Sequence, residues 1–429
     1  MELFFFLFIL LFLLLFTGVP VAYSISGACI IVLAVLRGID NFPFEIVAQR
    51  MLYGTNNFTL LTIPAFLLIG KLMNSSGITD RIFNVARALV GHYKGGLGHV
   101  NVVASIIFAG MSGSAVADAG GLGAVEIKAM TDDGYPKGFS AAVTGASATI
   151  GPIIPPSIPA VIYGAIANAS IGKIFIGSIV PGLIMGFGMM ILVALIAHIK
   201  GYPTQQKASL AVVIQMVRKG LLPLFTPLII IVGILSGIFT ATEASAIALV
   251  YCIFLASIVY RSLTLKDFIK ALKETMIDTA ILLFIIAGCS VYSWMLGRYQ
   301  VTRGLVVFIE SHVASPFTLL IYLNLLLLLI GCFIDAVPAL FLLTPILIPL
   351  VVKFGIDPVH FGVVMIFNLM IGLITPPVGT VLYTLQKITN ISMETLIKNI
   401  SPFYIPLFIS LILITYFPKI VMFLPNLFL

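Results

Sequence analysis

Charge is scarce in this chain. Only 9% of its 429 residues are Asp, Glu, Lys or Arg, whereas 60% are hydrophobic and the mean hydropathy is +1.18. A soluble protein of this length has no interior large enough to hide so much apolar surface. Tryptophan occurs once, cysteine four times and histidine five times. Cys29, Cys252, Cys289 and Cys332 stand singly in apolar stretches, without paired or metal-ligand spacing, and read as buried free thiols. There is no HExxH and no cluster of acids, which excludes a recognisable metal centre. There is no GxxxxGK[ST] either, so ATP hydrolysis would need another subunit. No nucleophile–base set is visible, and no catalytic residue is expected; the chain does not read as an enzyme. The opening MELFFFLFILLFLLLF lacks the positive n-region and small-residue cleavage site of a signal peptide, and predicts a retained first span. Net charge is +7, but the basic residues are scattered through connecting loops, unlike a nucleic-acid-binding patch.

What the chain has is apolar length. Many windows exceed the roughly 18 apolar residues that span a bilayer. The runs are continuous, as in LNLLLLLIG from Leu323 to Gly331, and not the weakly alternating segments of a β-barrel. The fold class predicted is an all-α polytopic membrane protein, with the lipid bilayer as its solvent. Loop charge sets its orientation. The segment from His198 to Lys219 holds Lys200, Lys207, Arg218 and Lys219 and no acid. Bases also outnumber acids from Arg261 to Glu274 and over 71–94, so all three segments are assigned to the cytoplasm. Spans are predicted at roughly 221–236 and 241–260, and 71–94 as an interfacial amphipathic arm. Both chain ends then fall outside.

Proline is concentrated where a membrane helix can least accept it. GPIIPPSIPAVIYG, Gly151 to Gly164, has four prolines and no charge. A second broken segment, GLITPPVGTVLY, starts at Gly372, an offset of 221 residues. The same offset sets FAGMSGSAVADAG, Phe108 to Gly120, on LLIGCFIDAVPAL, Leu328 to Leu340, to within a residue. Each of these regions is an apolar stretch with a small, polar centre, too short for two full spans and too long for one. A re-entrant helical hairpin fits both. The loop charges give the two halves opposite orientations, so the chain reads as an inverted repeat with two re-entrant hairpins and two broken helices.

Such a pattern points to a secondary transporter. Proline removes a donor and frees carbonyls. In lipid those groups are costly, but within protein they can hold an ion or a substrate. The candidate residues in the first hairpin turn are Gly110, Ser112, Ser114 and Asp118. Those in the second are Gly331 and Asp335. Beside the prolines stand Gly151, Ser157, Thr375 and Gly379. An intramembrane aspartate is functional by default, which makes Asp335 the leading candidate for ion coordination. The alternative for Asp335 and Asp118 is a helix cap, and for the serines simple helix packing. Glu243 in TATEASA reads as a cap or pair; Arg298 and Arg303 flank a span end. A channel or a carrier working without a binding protein would share the apolar pattern.

The run GHYKGGLGHVN…FAGMSGSAVADAGGLGAVEIKAM, then ATIGPIIPPSIPAVIYG, GCFIDAVPA and GLITPPVGT, resembles the large membrane subunit of the tripartite ATP-independent periplasmic (TRAP) transporters across essentially the whole chain. The resemblance implies an elevator-type transporter of the bacterial inner membrane. It implies coupling to two or more Na+ ions, a separate small membrane (Q) subunit and a periplasmic substrate-binding (P) protein. It implies sodium sites around Gly110, Ser112, Ser114, Gly151, Gly331, Asp335, Thr375 and Gly379. Substrate contacts are implied at Ser112, Ser114, Asp118, Ser157 and Thr375. The division implied is scaffold over 1–75, an arm over 76–94, transport domain over 95–165, scaffold and linker over 166–295, an outer arm over 296–315, transport domain over 316–386, and a last scaffold segment over 387–429. GHYKGGLGHVN and the closing YFPKIVMFLPNLFL are most similar to sialic-acid members; C4-dicarboxylates and other sugar acids are the alternatives.

Overall fold

The structure, a computed structural model, describes residues 2–313 and 315–429, with the side chains of 2–5, Ser112 and Lys219 left aside. All regular elements among the described residues are helical. The first part of the chain forms α1 (Glu2–Phe16), α2 (Val21–Arg37), α3 (Phe44–Thr55), α4 (Thr62–Ser75) and α5 (Ile78–Val90). Next come α6 (Gly96–Ser112), α7 (Ala115–Gly120), α8 (Leu122–Asp132), α9 (Lys137–Ala148) and α10 (Ile158–Ala167). The middle comprises α11 (Ile171–Lys200), α12 (Leu210–Leu235), α13 (Ala241–Phe254) and α14 (Leu265–Arg298). The last part holds α15 (Val301–His312), α16 (Pro316–Gly331), α17 (Ala336–Lys353), α18 (Pro358–Gly372) and α19 (Thr380–Thr389). It closes with α20 (Met393–Ile400), α21 (Tyr404–Tyr416) and α22 (Pro418–Phe428). Among the described residues six helical stretches are long and apolar enough to cross a bilayer, or seven if the bent α12 is one span.

The outer surface identifies the solvent. Helix α11 buries Met185, Met189, Val193 and Ala197 on one stripe. Its opposite stripe exposes Phe187, Ile191, Leu195 and Ile199, by 49–78%. A helix facing water would carry polar groups there; an apolar outer stripe faces lipid. The chain is a multi-pass membrane protein. Helix α13 runs as expected and continues in a π-type turn to Val259. Helix α12 starts earlier than the hydropathy suggested, at Leu210, because Ser209 caps it by accepting the amide of Val212 at 3.4 Å. Glu243 completes a capping box with Thr240, so its role is to start α13.

The 221-residue offset recurs helix by helix. Moved by it, Ala115 falls on Ala336, Asp132 on Lys353 and Lys137 on Pro358, the ends of α17 and the start of α18. Helix α5 falls on α15, α6 on α16 and α10 on α19, each within two residues. The halves differ after the turn: a break at Gly121 divides α7 from α8, whereas α17 is continuous despite Pro345 and Pro349. The halves are interlocked. Helix α10 packs on α17 of the other half, and α19 packs on α7. The Tyr163 hydroxyl of α10 donates to the Pro358 carbonyl at 2.6 Å, tying the first half to the start of α18.

Candidate functional site

Two turns and two helix breaks converge at the centre of this interlocked block. The first turn lies between α6 and α7. Gly113 takes φ +61°, which an L side chain rarely adopts, and Ser114 then caps α7, its hydroxyl 3.4 Å from the Ala117 amide. The second turn lies between α16 and α17. Asp335 is the N-cap of α17: Oδ1 accepts from the Val337 amide at 3.3 Å, and Oδ2 lies 3.5 Å from the Thr380 hydroxyl of α19. Asp335 therefore has the cap geometry that was its structural alternative. A carboxylate at a helix N-terminus still has lone pairs to offer a cation. Asp118 is not the cap of its helix; Ser114 is.

The breaks solve their backbone problem internally. In the first, residues 149–157, Ser157 caps α10 by accepting the Ala160 amide at 3.2 Å, while its hydroxyl donates to the Pro152 carbonyl. In the second, residues 373–379, the Cys332 carbonyl of the second turn accepts from the amides of Val378 and Gly379 at 3.2 and 3.3 Å. The Tyr404 hydroxyl donates to the Ile374 carbonyl at 2.7 Å, and Thr375 bonds back to the Ile371 carbonyl at 2.7 Å. The peptide bonds Pro155–Pro156 and Pro376–Pro377 are both cis. Each break also touches the turn-bearing helices of its own half through a glycine. The Asp118 carboxylate fills the space beside Gly151, and Gly372 meets the backbone of Gly331.

A cavity of about 690 Å³ lies against these parts. Gly113 to Ala117 and Asp335 to Val337 line it from the turns, Pro152, Ile158 and Pro159 from the first break, and Met370 and Leu373 from the second. Of the residues singled out in sequence, Ser114 and Asp335 face this cavity. Asp118, Ser157, Gly110, Gly151, Gly331, Thr375 and Gly379 stand behind it or beside it, supporting the turns and breaks. The side chain of Ser112 lies outside the described residues.

The opposite wall was not anticipated. It comprises Leu67, Gly70, Lys71 and Asn74 of α4 and Asp278, Ile281 and Leu282 of α14. Lys71 Nζ lies 2.6 Å from Asp278 Oδ2 and 3.6 Å from Glu274 Oε2. No local motif joins residues so distant in sequence. Buried polar links also escaped notice. Asn101 on α6 donates to Thr144 of α9 at 2.7 Å and accepts from the Ser147 hydroxyl at 2.6 Å. In the other half Asn368 on α18 donates to Asn324 of α16 at 2.8 Å. Ser147 and Asn368 are 221 residues apart, so the offset was a signal that could have found them. Among the described residues no group of three or more His, Cys, Asp or Glu side chains forms a transition-metal site. The cavity offers two turns, two carboxylates, the Ser114 hydroxyl, the Asn74 amide and one ammonium to a small polar solute.

Comparison with known proteins gives this arrangement its family. The model of the tripartite ATP-independent periplasmic transporter, DctM component, matches residues 8–420. The sialic acid TRAP transporter large permease protein SiaM of Vibrio cholerae is 46% identical over 97% of both chains. The sialic acid TRAP transporter permease protein SiaT of Haemophilus influenzae is 42% identical over 96% of this chain and 67% of its own length. The C4-dicarboxylate TRAP transporter large permease protein DctM of Pseudomonas aeruginosa is 38% identical over 89% of each. Among solved structures, the YdaH transporter of Alcanivorax borkumensis superposes with a TM-score of 0.68, covering 93% of this chain and 97% of that one at 14% identity, a likeness of fold. With a family model that covers nearly its whole length and relatives this similar, the chain belongs to the DctM component family, the large membrane subunits of the TRAP transporters.

Proposed function

We propose that this chain imports sialic acid across the bacterial inner membrane, driven by sodium. The observation that carries the substrate is the 46% identity to a permease named for sialic acid, against 38% for one named for C4-dicarboxylates. The cavity supports the reading, because both turns and both breaks bound one space large enough for a sugar acid. The pairs α6 with α7–α8 and α16 with α17 are re-entrant hairpins in this reading. Together with α9–α10 and α18–α19 they form a transport domain over residues 95–165 and 316–386. It slides as an elevator against the scaffold of α1–α4 and α11–α14. The interlocking of α10 on α17 and of α19 on α7 supports motion of these parts as one block.

Sodium is assigned to the turns. Asp335, Ser114 and backbone carbonyls near Gly110, Gly151, Gly331, Thr375 and Gly379 supply oxygens only, the donor set a hard cation takes. In the same reading Ser112 completes the substrate side, and Asp118 and Ser157, behind the cavity, hold its lining in place. A separate small (Q) subunit enlarges the scaffold, and a periplasmic (P) protein delivers the acid. Both termini lie in the periplasm.

The test is reconstitution in proteoliposomes with the small subunit and a sialic-acid-binding protein. Labelled sialic acid should enter saturably with an inward sodium gradient, and uptake should stop when sodium is replaced by potassium. Uptake that persists without sodium would sink the coupling. Uptake of succinate with its own binding protein, and none of sialic acid, would move the substrate to the dicarboxylates.

A further inference from the structure

The scaffold wall of the cavity is charged on one side of the molecule and neutral on the other. Among the described residues Lys71 is the one cationic side chain that lines the cavity, and its ammonium pairs directly with both Asp278 and Glu274. The repeat provides an internal control. At the 221-residue offset Lys71 corresponds to Tyr292, Glu274 to Tyr53 and Asp278 to Asn57. Tyr53 and Asn57 line a second cavity of about 310 Å³, together with Leu60, Ser290, Ser293 and Phe341, and no charged side chain lines it. The scaffold therefore forms at this position without an ion pair, and the pair at Lys71 is an addition to one side.

That side is the basic one. The Arg81 guanidinium lies 4.0 Å above the ring of Tyr260, Arg87 Nε donates to Gln205 at 2.7 Å, and Lys94 Nζ is 3.2 Å from His198. These contacts gather the basic loops after α11 and α13 beside the arm α5, at the end of α4 that carries Lys71. Loop charge of this kind faces the cytoplasm. The pair is also accessible from the cavity: the side chain of Lys71 is 23% exposed and that of Asp278 46%. A half-exposed pair can exchange partners, unlike a buried one. The charged side chains lining the cavity are Lys71, Asp278 and Asp335, a net negative set, so an anion there has a single cation to turn to.

We infer that Lys71 is a release-side receptor for the substrate's carboxylate, and that Asp278 and Glu274 compete with the substrate for it. The anion leaving the turns displaces Asp278 from the ammonium. The return of Asp278 then discharges the anion to the cytoplasm. The inference rests on the import reading only in that the substrate is a carboxylate; it holds for a sugar acid or a dicarboxylate.

The experiment uses the complex in proteoliposomes, with binding protein outside to select right-side-out molecules. Two constants are read: half-saturation by external sialic acid, and half-inhibition of uptake by sialic acid loaded inside. Lys71→Gln should raise the internal constant about tenfold relative to the external one, the loss of one charge-assisted bond. Lys71→Arg should restore the ratio. Asp278→Asn should lower the internal constant severalfold. A methyl ester of the acid, loaded inside, should be indifferent to all three changes. A general structural role for Lys71 would move both constants together and overturn the assignment, as would an unchanged ratio in Lys71→Gln and Asp278→Asn. If Lys71→Gln does not assemble, Asp278→Asn alone decides. Wild-type vesicles in which no carboxylate drives or inhibits uptake would overturn the import reading itself.

Discussion

Gly372→Ala is a severe test of how α16 is seated on α18. Gly372 ends α18 where it meets Gly331, the end of α16. A Cβ on Gly372 would lie 2.5 Å from the Gly331 carbonyl carbon, 2.6 Å from its Cα and 2.7 Å from its oxygen. Carbon atoms pack at roughly 3.5–4.0 Å, so the overlap is about 1 Å. All three atoms are backbone, and no rotamer change relieves the clash. The helices must separate. They are pinned nearby, since Asn368 donates to the Asn324 side chain and carbonyl at 2.8 and 3.1 Å. Overpacking of this kind costs about 1–3 kcal/mol, a sizeable part of the ~5–15 kcal/mol that holds a typical domain. The reverse change is milder. A Cβ on Gly331 finds its nearest atom, Gly372 Cα, at 3.2 Å, then the Leu369 carbonyl oxygen at 3.4 Å. A shift of a few tenths of an ångström accommodates it. Thermal unfolding of the detergent-solubilised protein, read by loss of the monodisperse chromatographic peak, should fall by a few degrees for Gly372→Ala and by clearly less for Gly331→Ala. Sodium-driven uptake per assembled molecule should fall in the same order, because the displaced end of α16 carries the turn that holds Asp335. Equal midpoints, or Gly331→Ala the worse of the two, would refute the packing argument.

Other changes separate structure from transport. Asp335→Asn keeps a good N-cap for α17, since Asn and Asp cap alike, and removes the charge; the protein should assemble with a near-normal melting midpoint while the sodium concentration for half-maximal uptake rises about tenfold or more. A normal sodium curve in that variant would reduce Asp335 to a cap. Ser157→Ala removes a buried cap and strands the Pro152 carbonyl, and should cost about 1–3 kcal/mol of stability in the same melting assay. Ser114→Ala breaks a longer, half-buried cap bond of 3.4 Å and should cost less than about 1 kcal/mol, yet should impair uptake more than its stability explains. Gly151→Ala places a Cβ in the space that the buried Asp118 carboxylate fills. The carboxylate must move aside, so uptake should be lost and the melting midpoint lowered, and Asp118→Ala added to it should recover part of the midpoint but not the uptake.

Much of this was legible because membrane rules are local. A continuous apolar run, a proline that removes a donor and a basic loop each carry their meaning within a few residues. The duplicated Pro–Pro segments were found at one offset, and α5, α6 and α10 obey that offset to within two residues. The site was legible only in part. Ser114 and Asp335 face the cavity as turn residues should, whereas Ser157, Gly151, Gly331 and Gly379 lie in the backbone framework behind them. Lys71 and Glu274 enter the sequence reading only as loop charges that set orientation, and Asp278 does not enter it. Their meeting depends on how α4 packs on α14, and no period in either helix announces it.

From its sequence alone, the chain is determined to be an all-α membrane protein, built twice over, with breaks at Gly151 and Gly372 and the motifs of its family. Tertiary structure decided which faces meet: α10 on α17, α19 on α7, Gly372 on Gly331 and Lys71 on Asp278. The physical reason is visible in α11, where the buried stripe and the lipid-facing stripe are both apolar. In water, polarity marks the outer face of a helix. In lipid that contrast is absent, and only packing distinguishes the face that seals the site from the face that meets the bilayer.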